Sequence, residues 1–175
     1  LSTINGYVID EYSPILRQLY DHSDFRDWIS AIANTELMNC HESLWAIFNI
    51  HEGPNCDHGW HADKEAVVFN LMIDENIHEA KQGGGLRLYS EWVRFKENHP
   101  GLSKTEMYDI IEREKLYTEV YMAPGQAVLF KGTSVLHKVT SMPYDDSKRV
   151  TFLYSWDDEI SAALQESEAS LVLYK

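Results

Sequence analysis

The sequence predicts a mainly β protein with flanking helices, a sandwich or barrel of short strands. Three observations carry this. Apolar runs of four to nine residues recur from Leu44 to Trp156 and are rich in Val, Ile and Phe. Turn-forming residues punctuate them, as in Glu52 to Gly59 and Gly83-Gly84-Gly85. The stretch from Arg149 to Trp156 alternates cleanly between two faces, as a strand does.

The elements follow in order. Ser13-Pro14 pairs a helix N-cap with proline at the first helical position, and Ile15, Leu16, Leu19 and Tyr20 recur at helical spacing behind it. After Asp21-His22-Ser23, the residues Phe25, Trp28, Ile29 and Ile32 form a second stripe, so both helices are expected to pack on the outside of the sheet. Strands are expected at Leu44 to Ile50, Ala66 to Asp74, Leu86 to Tyr89, Gln126 to Phe130, Val135 to Thr140 and Val150 to Trp156. Ser103 and Glu106 form a capping box that opens a helix reaching Tyr117, with Met107, Ile110 and Ile111 on its apolar face. That excursion is either a lid or a surface helix. The division is one domain over 1–175: N-terminal helices in 1–42, a β core in 43–156 with a helical insertion at 91–118, and a C-terminal tail in 157–175.

Composition narrows the function. A net charge of −13 argues against nucleic acid, which needs a basic face. No apolar run reaches a membrane span, and no signal-peptide pattern is visible, so a cytoplasmic protein with no membrane partner is expected. The chain starts at Leu1, not Met, so residues upstream are expected to be missing. Two cysteines, Cys40 and Cys56, are too few for a disulfide framework and read as reduced thiols.

The chemistry is carried by His61-Ala62-Asp63. Residues i and i+2 of an extended chain point the same way, so both side chains reach one cation. One such triplet is expected by chance, and His22-Ser23-Asp24 is indeed a second. Context separates them: His22 sits at a helix break, whereas His61 follows a glycine-bearing loop and precedes a strong strand. His137 lies within a further predicted strand. Two histidines and a carboxylate on one face leave open positions on a bound iron. Arg149 begins the last strand, where Arg149, Thr151, Leu153 and Ser155 share one face and Val150, Phe152, Tyr154 and Trp156 the other. An arginine facing inward needs an anion, since an unpaired buried charge costs several kcal/mol.

The order H-x-D, then a distal His, then Arg ahead of an apolar strand resembles the 2-oxoglutarate/Fe(II) oxygenases. That resemblance implies a double-stranded β-helix (jelly roll, cupin-like), with Fe(II) on His61, Asp63 and His137. It implies 2-oxoglutarate held by Arg149 and Thr151, and O2 as the oxidant. The run His58-Gly59-Trp60-His61-Ala62-Asp63 is similar to the metal segment of the radical halogenases and hydroxylases of free amino acids. On that comparison His58 and Trp60 line the substrate pocket, and the substrate is a small molecule, an amino acid or derivative. Halogenating members carry Gly where this chain carries Asp63, so the resemblance favours a hydroxylase. Glu42 stands about a residue out of step with those members' substrate-binding carboxylate, which implies a changed substrate. The competing readings are a peptide or protein side-chain hydroxylase and a cupin-like binding module without turnover. A zinc hydrolase lacks its motif.

Overall fold

The computed structural model describes residues 1–54, 56–76 and 83–166. Two antiparallel sheets face each other. The larger runs β1 (Ser2–Ile4), β3 (Ala46–Glu52), β10 (Lys148–Asp157), β5 (Val67–Asn76), β8 (Ala127–Phe130), with the short β2 (Met38–Asn39) pairing on the end of β10. The smaller runs β4 (His58–His61), β9 (Leu136–Val139), β6 (Leu86–Tyr89), β7 (Thr118–Val120). From β3 to β10 the chain passes from one sheet to the other at almost every connection. Only the β6–β7 link stays within a sheet. This winding is the double-stranded β-helix, or jelly roll.

The outer face of the large sheet is closed by α1 (Gly6–Tyr12), α2 (Pro14–Asp21) and α3 (Ser23–Ala33). Phe152, Tyr154 and Trp156 of β10 point to these helices, as the alternation predicts, and are buried against Tyr20 and Ile29. Tyr20 stacks on Trp156 with ring centroids 5.3 Å apart. Its hydroxyl donates to the Ser155 carbonyl at 2.8 Å and accepts from the Cys40 amide at 2.9 Å, so the phenol is both wedge and latch.

The helices correct the expected stripes. Leu16, Tyr20, Phe25 and Ile29 face the sheet, but Ile15, Leu19, Trp28 and Ile32 are exposed. Positions one residue apart differ by about 100° around a helix. A stripe as wide as the predicted ones therefore buries only the i, i+4 pairs at its centre. The predicted N-terminal helical region also contains β1 and α1, which carry no strong periodic signal of their own.

The insertion at 91–118 folds as α4 (Trp92–Asn98) and α5 (Lys104–Glu114). The Ser103–Glu106 capping box is present in full. Trp92, Phe95, Met107 and Ile111 build a separate core with Tyr89, Leu136 and Trp60. Glu112 of α5 ties this layer to the small sheet, accepting from Lys138 Nζ at 2.6 Å, Arg87 Nη1 at 2.8 Å and Trp60 Nε1 at 3.1 Å. The insertion is thus a buttress on the outer face of that sheet, and no residue of it lines the cavity between the sheets. In the 157–175 tail, Asp157 completes β10 and α6 spans Glu159–Glu166; residues 167–175 lie outside the described residues. Cys40 is buried and Cys56 half-buried, and both are free. Among the described residues no helix is long and apolar enough to cross a membrane.

Candidate metal centre

His61 closes β4 and stands opposite His137 of β9 in the antiparallel register. Asp63 follows in the β4–β5 loop. Its amide donates to the Gly132 carbonyl at 3.0 Å, and the Gly132 amide donates to the Ala66 carbonyl at 3.0 Å, so the β8–β9 turn clamps both sides of the loop. Only glycine fits there. A Cβ on residue 132 would lie 2.9 Å from the Cβ of Asp63 and closer still to the Glu65 carbonyl oxygen.

Strand pairing and clamp bring three donors together. Asp63 Oδ1 is 3.7 Å from His61 Nε2, and Oδ2 is 3.4 Å from His137 Nε2. All the ligand atoms lie within 4.8 Å of one another, and this is the one such group among the described residues. The alternative triplet is not assembled, because His22 lies at the junction of α2 and α3.

Both rings are held in the state a metal requires. His61 Nδ1 lies 2.7 Å from the Gly59 carbonyl and His137 Nδ1 3.1 Å from that of Val135. A carbonyl only accepts, so each Nδ1 carries the proton and each Nε2 presents its lone pair inward. Burial holds the pKa of His137 down, against the pull of Asp63. Two imidazoles and one carboxylate suit a divalent transition metal, and iron is one that leaves open positions on such a face.

β4 carries a bulge. His58 pairs with Val139 and His61 with His137, so three steps on β4 span two on β9. The extra residue puts His58 and His61 on the same face, with ring centroids 4.0 Å apart. Burial, then repulsion from His61, His51 and His137, brings His58 down to about 4, so it is neutral near pH 7. Trp60, the neighbour of His61, alternates to the opposite face, against Tyr117 and Glu112. The expectation that Trp60 lines the pocket is therefore corrected: it is a packing residue of the buttress, whereas His58 does line the cavity.

The cavity holds about 380 Å³ and runs from the three ligands to Arg149. Arg149, Thr151 and Leu153 all line it, as the alternation of β10 predicts. Arg149 is 1% exposed, and its Nε and Nη2 have no hydrogen-bond partner among the described residues. Burial lowers its pKa to about 10, partly offset by Glu75, so it stays charged at neutral pH. The Oδ1 of Asn70, which lines the same cavity, is also unpartnered among the described residues. Apolar walls come from Leu86, Phe130 and Val139. Sequence reasoning missed His51, Asn49 and Asn70. Its available signal was the Ile47-Asn49-His51 alternation, polar side chains on one face of an otherwise apolar strand.

The Halogenase D (HalD) family model matches residues 1–171. The chain belongs to the Halogenase D family. No curated protein sequence matches it. Solved structures show the fold of this Halogenase D-family chain to be that of the 2-oxoglutarate/Fe(II) oxygenase superfamily. It is similar to EctD from S. alaskensis with bound Fe, at TM-score 0.62 and 16% identity, covering 89% of this chain and 56% of that one. It is also similar to a prolyl 4-hydroxylase from Phytophthora capsici, at TM-score 0.61 and 14% identity, covering 98% and 55%. A third is the non-heme alpha ketoglutarate dependent epimerase SnoN from nogalamycin biosynthesis, at TM-score 0.56 and 12% identity, covering 89% and 60%. The chain thus spans little more than half the length of these proteins.

Proposed function

We propose that this Halogenase D-family chain is an Fe(II)/2-oxoglutarate-dependent dioxygenase that hydroxylates an unactivated C–H bond of a small molecule, an amino acid or derivative. The observation that carries this is Arg149: a buried, unpartnered guanidinium in the same cavity as a two-histidine, one-carboxylate triad. Such a charge calls for an anion, and a dicarboxylate that also chelates the metal fits both ends of the cavity. A binding module without turnover needs no such pair of sites.

Bound iron supplies activation of O2, coupled to oxidative decarboxylation of 2-oxoglutarate: RH + O2 + 2-oxoglutarate gives ROH + succinate + CO2. The residues supply the rest. His61, Asp63 and His137 hold the metal from one side and leave the cavity side open to the keto acid, O2 and substrate. Arg149 donates to the distal carboxylate as a planar fork, with the Thr151 hydroxyl beside it. Leu86, Phe130, Val139 and Leu153 keep water from the reacting centre. His58, neutral and stacked on His61, borders the substrate space.

Asp63 supports hydroxylation over halogenation despite the family's name. Its carboxylate already fills the position beside both histidines that a halide needs. A structure of EctD with 2-oxoglutarate and 5-hydroxyectoine has the same fold at TM-score 0.61 and 15% identity, covering 91% of this chain and 57% of that one, which supports a small-molecule substrate.

The test is anaerobic addition of Fe(II) and 2-oxoglutarate, read as a weak visible charge-transfer band, followed by a substrate panel in air. Succinate formation stimulated by free amino acids, a product heavier by one oxygen, and indifference to chloride are expected. A chlorinated product would overturn the hydroxylase reading, and stimulation by peptides alone would overturn the small-molecule one. His61→Ala and Asp63→Ala should each abolish succinate formation; full activity in either would remove that ligand.

A further inference from the structure

His51 faces the cavity without belonging to any recognised motif. It lies on β3 directly opposite Arg149 of β10. Both side chains line the cavity, and both are 1% exposed. His51 Nδ1 lies 2.7 Å from the carbonyl oxygen of Cys56. That oxygen can only accept, so Nδ1 carries the proton. Nε2 has no protein partner among the described residues. A neutral His51 therefore offers the cavity a bare lone pair, which repels a carboxylate; only the imidazolium offers a donor.

The charges around His51 set when it becomes one. Arg149 faces it from β10, with Glu75 of β5 paired opposite Arg149. Cys56, Asp57 and His58 lie on the loop into β4 and on β4 itself. Burial and then Arg149 hold the pKa of the free His51 below its ordinary value, while the Cys56 carbonyl works the other way. An anion seated on Arg149 removes the main repulsion and adds an attraction.

We propose that His51 is the proton-coupled half of the dicarboxylate anchor: 2-oxoglutarate enters with one proton from water, which is bound at His51 Nε2, and imidazolium and guanidinium hold the distal carboxylate from adjacent strands. This rests on the reading of Arg149 as the cosubstrate anchor. His51 would then make the site a selector for dianions over monoanionic keto acids.

Linkage gives the sign. The pKa of His51 is higher in the complex than in the free protein, so binding is tightest at low pH and weakens as pH rises, by up to about tenfold per unit between the two values. The experiment is calorimetric titration of anaerobic, Fe(II)-loaded protein with 2-oxoglutarate near neutral pH, in two buffers of different ionisation enthalpy. Uptake of about one proton per ligand is expected. His51→Asn keeps a side-chain nitrogen for the Cys56 carbonyl and removes the one facing the cavity. It should abolish both the uptake and the pH dependence and weaken binding most at low pH. Tight binding with no proton uptake by the unsubstituted protein, or uptake that persists in His51→Asn, overturns the proposal and leaves the dioxygenase reading standing. Absence of any 2-oxoglutarate binding overturns both.

Discussion

Arg149 is held where a charge is poorly solvated, and that makes its role separable from the fold's stability. Removing a structural ion-pair partner from an interior usually destabilises a protein. Removing a buried charge that lacks its partner does the opposite, because the desolvation cost disappears. Arg149→Met is therefore expected to weaken 2-oxoglutarate binding by about 100-fold, in line with losing a charge-assisted bidentate contact of roughly 3 kcal/mol. Its thermal midpoint without cosubstrate should stay level or rise. A clear fall in that midpoint, seen by circular dichroism, would identify Arg149 as a structural residue instead. The inward face of β10 was legible in the sequence, because strict alternation leaves Arg149, Thr151 and Leu153 no other side. Trp60 was legible in the same way, since it adjoins His61 and alternates to the other face; His58 was not, because counting in twos from His61 turns it outward and only the bulge brings it back.

At the scale of elements, the α4–α5 buttress depends on one carboxylate. Glu112 gathers Lys138, Arg87 and Trp60 from three strands of the small sheet. Burial opposes its charge, but Lys138 and then Arg87 outweigh it, and its pKa lies below the ordinary glutamate value. The sign follows. A depressed folded pKa contributes stability that is present above the ordinary value and is lost as pH falls through the folded one. Acidification below the ordinary glutamate range should thus loosen the buttress, seen as faster amide exchange in α5. Glu112→Gln should flatten that acid response and cost about 1–2 kcal/mol at neutral pH. An unchanged acid response would place the dependence elsewhere. The capping box made the start of α5 readable from four residues of sequence, since that bond pattern is local. Its role as buttress was not readable, because a helix's apolar face does not say which sheet face receives it.

For the whole molecule, the many short strands announced two packed sheets, whereas the crossing of the chain between them is fixed by long-range pairing that no local pattern records. The charge is the other global property. Twenty-eight acidic and fifteen basic residues leave a net −13 on a chain of this size. Self-repulsion of that order weakens the compact state, and salt screens it. Raising sodium chloride from about 10 to 150 mM should lift the thermal midpoint by about 2 °C or more; a fall would mean that ion pairs such as those at Glu112 dominate. The bulge in β4 has a consequence on a longer timescale. The chemistry facing the metal on that strand is set by chain length as well as by side-chain identity. Loss of one residue at Gly59 would remove the bulge and leave His58 two positions from His61, on the same face as before. Descendants of this chain can therefore lose the bulge through a single in-frame codon deletion and keep the same reaction chamber, whereas straightening β4 at constant length turns His58 out of it.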